Sequence, residues 1–222
     1  MDPPGTALAG ALHLATLAAV VLYFRRDLAR LLKGGLVPGS WERRYLGLLG
    51  LGTIPIAAIG YLARGALERS FSSPTLVGGL FLATALVLGT ASVLQGRARR
   101  ARPKVGDAAV VGLAQAAALL PGISRSGVTI SAGILRGLSP AEAARFSFLL
   151  SIPAVAGAGM VSLARANLSP GEAAGLALGG LAALGSGLLA IRVLLRLLQR
   201  GRLWWFALYC LLVGGLALGF LR

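Results

Sequence analysis

The chain has 222 residues, of which 56% are hydrophobic and only 13% are charged, and its mean hydropathy is +0.80. This composition excludes a soluble globular domain and is typical of a polytopic membrane protein. A formal net charge of +15 would suggest nucleic acid as the partner of a soluble protein, but here the basic residues lie in short clusters between apolar segments and act as topology signals. We therefore predict one all-α integral membrane domain over residues 1–222, in contact with membrane lipids and without a nucleic-acid partner.

Six apolar segments are long enough to cross a bilayer, which takes about twenty mainly apolar residues. In chain order they are residues 6–24, 45–63, 75–95, 140–164, 171–191 and 203–221. No basic region precedes the first of them, so we do not interpret it as a signal peptide. The sequence therefore predicts about six spans.

The loops between these segments differ in their content of Lys and Arg, which is 6, 2, 5, 1 and 4 in the loops 25–44, 64–74, 96–104, 165–170 and 192–202. The positive-inside rule places the first, third and fifth loops in the cytoplasm. Both termini then face outward.

Residues 106–137 form a seventh apolar segment that is interrupted by Pro121, Gly122 and Gly127. If this segment crossed the membrane once, the loops 96–104 and 165–170 would lie on the same side despite their different charge. We therefore predict that it is re-entrant and carries the functional site. Irregular backbone at membrane depth is tolerated only where it is buried in protein or lines a water-filled cavity.

The interruption reads Pro-Gly-Ile-Ser-Arg-Ser-Gly, with Arg125 between Ser124 and Ser126. A permanent charge at membrane depth costs about 2.5 kcal/mol or more, so Arg125 should face a cavity or a partner. These side chains and the N–H groups at the start of the second half-helix are donors, and phosphate is the anion that matches them best. A structural arginine that caps helix C-termini is the weaker interpretation of this context.

We predict a phosphate site in which the residues around Arg125 take part. Its predicted members are Gln115, Gly122, Ser124, Arg125, Ser126, Gly127 and Thr129. Gln115 has a second interpretation as an interhelical hydrogen bonder, and the hydroxyls of Thr129 and Ser131 can instead bond to preceding carbonyls of their own helix. His13 is a candidate base, although a lone histidine on a face of small residues more often has a packing role.

Two stretches carry a resemblance to a known family, namely 114–131 (AQAAALLPGISRSGVTIS) and 137–153 (GLSPAEAARFSFLLSIP). Residues 13–28 also fit the pattern. The chain resembles the bacterial undecaprenyl pyrophosphate phosphatases, also called bacitracin-resistance proteins, over essentially its whole length.

The resemblance implies a hydrolase of the bacterial inner membrane that removes the terminal phosphate of undecaprenyl diphosphate and so regenerates the lipid carrier of peptidoglycan synthesis. It also implies inverted repeats, a pocket that opens outward, and competition with bacitracin for the substrate. Arg125 would be the phosphate clamp, and Ser124 and Ser126 would be phosphate ligands. A divalent cation, Mg or Ca, is part of the implied chemistry, with no ligands identifiable in this sequence. The sequence does not determine the oligomeric state, and a homodimer is one of the states that it allows.

Two motifs of that family have no counterpart in residues 1–222, namely a glutamate-rich helix and a re-entrant Pro-Ser-Ser-Thr-Gly-His-like motif. The resemblance implies that they supply the acid–base or nucleophilic half of the site, so we expect an upstream region in the reading frame. A transporter or flippase of a lipid-linked phosphate needs no base and is the alternative. Lipid phosphatases of the phosphatidic-acid type also use a Ser-Arg motif, but they pair it with a histidine later in the chain. No histidine follows His13 in this sequence, which argues against that family.

Overall fold

The computed structural model describes residues 6–164 and 173–220. These residues form ten α-helices, and no β-strand occurs among them. The helices are α1 (Thr6–Tyr23), α2 (Arg25–Gly35), α3 (Trp41–Leu62), α4 (Arg64–Ser70), α5 (Pro74–Leu94), α6 (Val105–Ala117), α7 (Arg125–Leu135), α8 (Pro140–Ala164), α9 (Ala173–Gln199) and α10 (Trp204–Phe220). The prediction of an all-α fold is confirmed.

Four helices, α3, α5, α8 and α9, are long and apolar enough to cross a membrane. The pair α1 and α2, which is bent by 74°, gives a fifth span if the two helices are counted together. Helix α10 is apolar but has only 17 residues. The chain is thus a multi-pass α-helical membrane protein, and each of the six predicted segments contains a helix. The predicted loop 165–170, and the first two residues of the segment 171–191, lie outside the described residues.

Two segments that the sequence analysis assigned to loops contain helices. Residues 25–44 include α2, and residues 64–74 include α4. Helix α2 forms because Leu28, Leu31 and Leu32 recur at helical spacing between basic residues, which gives it one apolar face with Leu31 buried. A cluster of basic residues was therefore no sign of irregular backbone.

The chain divides into two compact units, one formed by Met1–Arg43 with Ser151–Leu194 and the other by Arg44–Leu150 with Leu195–Arg222. The second unit contains the interrupted segment. Within it, α5 packs against α7 and α10, and α6 packs against α7. The extent of the functional domain, and the inverted repeat, stay predictions.

Helices α6 and α7 are joined by residues 118–124, which we call the bend. Gly122 has a φ of +92°, a left-handed conformation that side chains other than glycine rarely adopt. A Cβ atom at this position would also collide with the carbonyl oxygen of Val77 on α5. The hydroxyl of Thr84, also on α5, lies 3.2 Å from Gly122 O and 2.9 Å from Leu80 O of its own helix, so the two carbonyls share its single proton. The bend is therefore held directly against α5.

The open ends of the α6–α7 hairpin meet at Asp107, which is fully buried. Its carboxylate accepts hydrogen bonds from Arg100 Nη1 at 2.7 Å, Arg136 Nε at 3.1 Å and the Lys104 N–H at 2.9 Å. Burial alone would raise the pKa of Asp107, but the hydrogen bonds from Arg100, Lys104 and Arg136 hold it below its ordinary value. The last turn of α7 thus returns to the first turn of α6, which is the geometry expected of a re-entrant segment.

Candidate anion site at the bend

Arg125 is the first residue of α7. The helix begins here because Ser124 is its N-cap: the Ser124 side chain accepts a hydrogen bond from Gly127 N at 3.3 Å, and the Ser124 carbonyl accepts one from Val128 N at 2.9 Å. The arginine side chain is half-buried, and no hydrogen bond or ion pair partner for it occurs among the described residues. A cation in this setting is available to an anionic ligand.

The start of α7 adds further donors beside the guanidinium group. The N–H groups of Arg125 and Ser126 belong to the first turn, where an α-helix offers no internal acceptor. Neither they nor the Ser126 hydroxyl have a partner within the described part of the chain. The helix dipole places partial positive charge at the same point. The bend therefore presents donors around one spot, which is the arrangement that binds phosphate at helix N-termini.

Asp107 and Glu142, the carboxylates nearest to the bend on either side in the sequence, are engaged elsewhere. No Asp or Glu occurs between Asp107 and Glu142 in the sequence. Asp107 is bound by two arginines, as described above, and Glu142 accepts from Tyr45 OH at 2.8 Å and pairs with Arg145 at 3.4 Å. The bend itself thus carries no negative side chain that would compete with a phosphate.

The two predicted glycines shape the bend. Gly122 supplies the left-handed turn, and the N–H of Gly127 is used by the N-cap hydroxyl of Ser124. A Cβ atom at Gly127 would approach Ser124 Oγ to 2.9 Å. The local geometry thus explains why glycine occupies positions 122 and 127. Direct contact of Gly122 and Gly127 with phosphate stays a prediction.

The hydroxyl of Thr129 is bonded within the protein. Its Oγ1 lies 2.7 Å from Arg125 O and 2.6 Å from Ser147 Oγ on α8, and both hydroxyl-bearing residues are buried. Because a hydroxyl has a single proton, Thr129 donates to Arg125 O while it accepts from Ser147. This contact ties the first turn of α7 to α8. The bond to a preceding carbonyl was predicted from the sequence, whereas the contact with Ser147 was not, because no local sequence pattern indicates it.

Gln115 lies on the buried face of α6 with no exposed surface. Both atoms of its side-chain amide lack a hydrogen-bond partner in the described residues, and the same holds for the hydroxyl of Ser131 on α7. A buried polar group without a partner costs about 1–3 kcal/mol. The amide of Gln115 is therefore free to meet a polar group of a ligand, although its role in the pocket stays a prediction.

His13 lies on α1 in the first unit, where its ring is exposed. Its Nδ1 is 2.7 Å from the carbonyl oxygen of Ala9, one turn earlier in the same helix. This local bond accounts for the orientation of the ring without a catalytic role.

The residues at the bend do not fit a resident divalent cation. Mg²⁺ and Ca²⁺ prefer oxygen ligands, chiefly carboxylates, whereas the bend offers a guanidinium group and N–H donors. No group of three or more His, Cys, Asp or Glu side chains that could hold a metal occurs among the described residues.

The helices and the donor cluster define a class of protein: a polytopic α-helical membrane protein with a cluster of hydrogen-bond donors at the break between two short helices. The chain belongs to the family described as bacitracin resistance protein BacA, which matches residues 2–216.

Similar proteins cover nearly the whole chain. The undecaprenyl-diphosphatase of Geobacter sulfurreducens is 41% identical over 220 residues, which are 95% of this chain and 82% of that protein. The undecaprenyl-diphosphatase of Moorella thermoacetica is 41% identical over 96% of this chain and 82% of its own length. The protein of the same name from Korarchaeum cryptofilum is 39% identical over 91% of this chain and 80% of its own length.

Proposed function

We propose that this chain is an undecaprenyl-diphosphate phosphatase, a membrane hydrolase that converts undecaprenyl diphosphate to undecaprenyl phosphate and inorganic phosphate. The observation that carries the proposal is the half-buried guanidinium group of Arg125 at the N-terminus of a half-helix, which has no partner among residues 6–164 and 173–220. The family and the names of the similar proteins supply the identity of the substrate.

The donors at the bend act on the terminal phosphate. Arg125 holds two of its oxygens through the planar fork of the guanidinium group, and the N–H groups of Arg125 and Ser126 bind where negative charge concentrates. Ser124 orients this cluster as the N-cap, and the Ser126 hydroxyl is a further ligand for the phosphate. Positioning and charge stabilisation are the main contributions that a protein makes to phosphoryl transfer.

The reaction itself is an addition of water to the terminal phosphorus. The bond between this phosphorus and the bridging oxygen breaks, and the lipid leaves as its monophosphate. The proton of the attacking water leaves with the released hydrogen phosphate or passes to solvent. Because the leaving group and the transferred group are both anionic, a fixed cation and oriented N–H groups lower the barrier for both.

We place this activity in the bacterial inner membrane, with the site open to the outside. The high content of Lys and Arg in the loops 25–44, 96–104 and 192–202 supports this orientation. Recycling of the lipid carrier then serves peptidoglycan synthesis. Bacitracin would compete with the protein for undecaprenyl diphosphate, so the activity would confer resistance to it.

The proposal is tested with protein purified in detergent. Wild-type protein should release inorganic phosphate from undecaprenyl diphosphate and none from undecaprenyl phosphate, and an Arg125→Ala variant purified in parallel should be inactive. Translocation of the lipid between the leaflets of a vesicle without phosphate release would show instead that the chain is a transporter.

A further inference from the structure

A groove with a volume of about 330 Å³ lies between α5, α6 and α7. Its volume falls within the range of about 300–1,000 Å³ that is typical of ligand pockets. The walls are almost entirely apolar and are built from small or β-branched side chains, among them Ala83, Val87, Val110, Ala114, Val128 and Ala132. All of these belong to the second unit.

One end of the groove is lined by Ile123 and Val128, which lie on either side of Arg125 in the sequence. Arg125, Val128, Ala132 and Leu135 follow one another at spacings of three, four and three residues, so they share one face of α7. Three of them line the groove, and Arg125 lies at the N-terminal end of the same face. Ile123, in the bend, is also part of the wall.

The groove is open along its side. Val110 is 39% exposed and Leu135 is 42% exposed, and Ala83 is exposed as well. The exposed side chains beside this opening are apolar, which makes it suitable for contact with hydrocarbon. The far end is bounded by Arg136, which is tied to Asp107. A flexible apolar chain can therefore enter from the bilayer and reach the bend.

We propose that this groove binds the isoprenoid chain of the substrate next to its diphosphate, an inference that rests on the proposed function. A lipid whose terminal phosphate is held at Arg125 must direct its chain over an apolar surface, and the groove begins on the face that Arg125 occupies. The tail gains little hydrophobic free energy here, since surrounding lipid is equally apolar. The groove contributes instead by packing and by fixing the direction in which the diphosphate points.

Photolabelling tests this placement without requiring turnover. The probe is a polyprenyl diphosphate with a diazirine on an isoprene unit near the head group, added to wild-type protein in detergent. Labels should be found on Val87, Val110 and Ala132. The controls are Leu86 and Leu113, which lie on α5 and α6, are 72% and 57% exposed, and do not line the groove.

Competition identifies the occupant. Excess unlabelled undecaprenyl diphosphate should abolish labelling of the groove, while excess phosphatidylglycerol should not. Equal labelling of Leu86 and Leu113, or equal displacement by phosphatidylglycerol, would overturn the inference, because the probe would then have entered as ordinary lipid.

A pair of variants gives a second readout. Ala114→Leu narrows the groove, whereas Ala109→Leu makes the same change on α6 at a position outside it. We expect kcat/KM for undecaprenyl diphosphate to fall about tenfold in Ala114→Leu and to change less than twofold in Ala109→Leu. Equal rates in the two variants would contradict the inference. Failure of the proposed function would be recognised separately. Wild-type protein would then release no phosphate from undecaprenyl diphosphate, whichever residues the probe labels.

Discussion

Arg136 Nε lies 3.1 Å from Asp107 Oδ1, which joins the last turn of α7 to the first turn of α6. Arg100 binds the same carboxylate, and its backbone pairs with the turn after α7 through Arg100 N to Gly137 O at 3.0 Å and Ser139 N to Arg100 O at 2.8 Å. The two half-helices are thus fastened at the ends remote from the bend. Because α7 carries Arg125 at its other end, this fastening also sets the position of the anion site.

Replacement of Asp107 should therefore destabilise the hairpin. In Asp107→Ala, two guanidinium groups and the Lys104 N–H lose their shared acceptor. We expect the free energy of unfolding to fall by about 3 kcal/mol. This is the lower end of the range of about 3–5 kcal/mol for a broken buried ion pair, because both arginines are partly exposed. Thermal unfolding in detergent measures the change. Glu42→Ala, at an acidic position in the first turn of α3 in the other unit, is the control, and an equal effect of the two substitutions would contradict this role.

The same carboxylate predicts a dependence of stability on pH. The pKa of Asp107 is lowered in the folded protein by its hydrogen bonds, so its contribution is complete above the unfolded value of about 3.9 and is lost as pH falls through the folded pKa. The melting temperature of wild type should therefore exceed that of Asp107→Asn by a constant amount between about pH 5 and 8. The gap should close under more acidic conditions. A gap that widened toward acid pH would disprove the assignment.

Arg125→Lys should remove most of the activity and leave the protein folded. Lysine keeps the charge but lacks the planar fork that holds two phosphate oxygens. The loss of such a contact in the transition state corresponds to about 2–4 kcal/mol, or roughly 30-fold to 1000-fold in rate. Phosphate release and melting temperature should be measured together, with Arg97→Lys in the exposed loop before α6 as control. Activity at the wild-type level in the lysine variant would exclude the clamp.

The bend should not tolerate a side chain at Gly122. Its positive φ costs an alanine about 1–2 kcal/mol, and the Cβ would also collide with Val77 O. Gly122→Ala should therefore lower both stability and activity. Gly89→Ala on α5, where nothing lies within 4 Å of an added Cβ, should leave activity unchanged. If Gly122→Ala melted at the wild-type temperature, the conclusion that the bend requires glycine at this position would be wrong.

Local features of the sequence account for much of the fold. Apolar runs of about twenty residues predicted the long helices, and Pro121 and Gly122 marked the break. A second half-helix with free N–H donors at its start was also predicted after this break, and α7 begins there at Arg125; the role of Ser124 as its N-cap was not predicted.

Contacts between distant residues could not be predicted in this way. Arg136 is 29 residues from Asp107, Thr84 is 38 residues from Gly122, and Ser147 is 18 residues from Thr129. Each pairing depends on how helices pack, and no local pattern encodes it. The groove could not be predicted from the sequence for the same reason, since its walls come from three different helices.

His13→Ala should retain activity close to wild type. The ring is exposed and its Nδ1 is occupied by Ala9 O, so no structural feature presents it as a base. The test is kcat/KM of both proteins, measured in parallel. A rate reduced by about 100-fold or more in His13→Ala, with an unchanged melting temperature, would instead identify His13 as the general base.

Membrane orientation is the final prediction. Cys210 is buried and is replaced by alanine to give a background without cysteine, into which single cysteines are placed at Ser72, Ala101 and Gln199. All three positions are exposed, and they lie after α4, before α6 and at the end of α9. A membrane-impermeant maleimide should label Ser72→Cys in intact cells, whereas Ala101→Cys and Gln199→Cys should react only after the membrane is opened. The reason is the excess of Lys and Arg around the last two positions, which retains these loops in the cytoplasm. Labelling of Ala101→Cys from outside would reverse the orientation and place the open ends of the α6–α7 hairpin on the outer side.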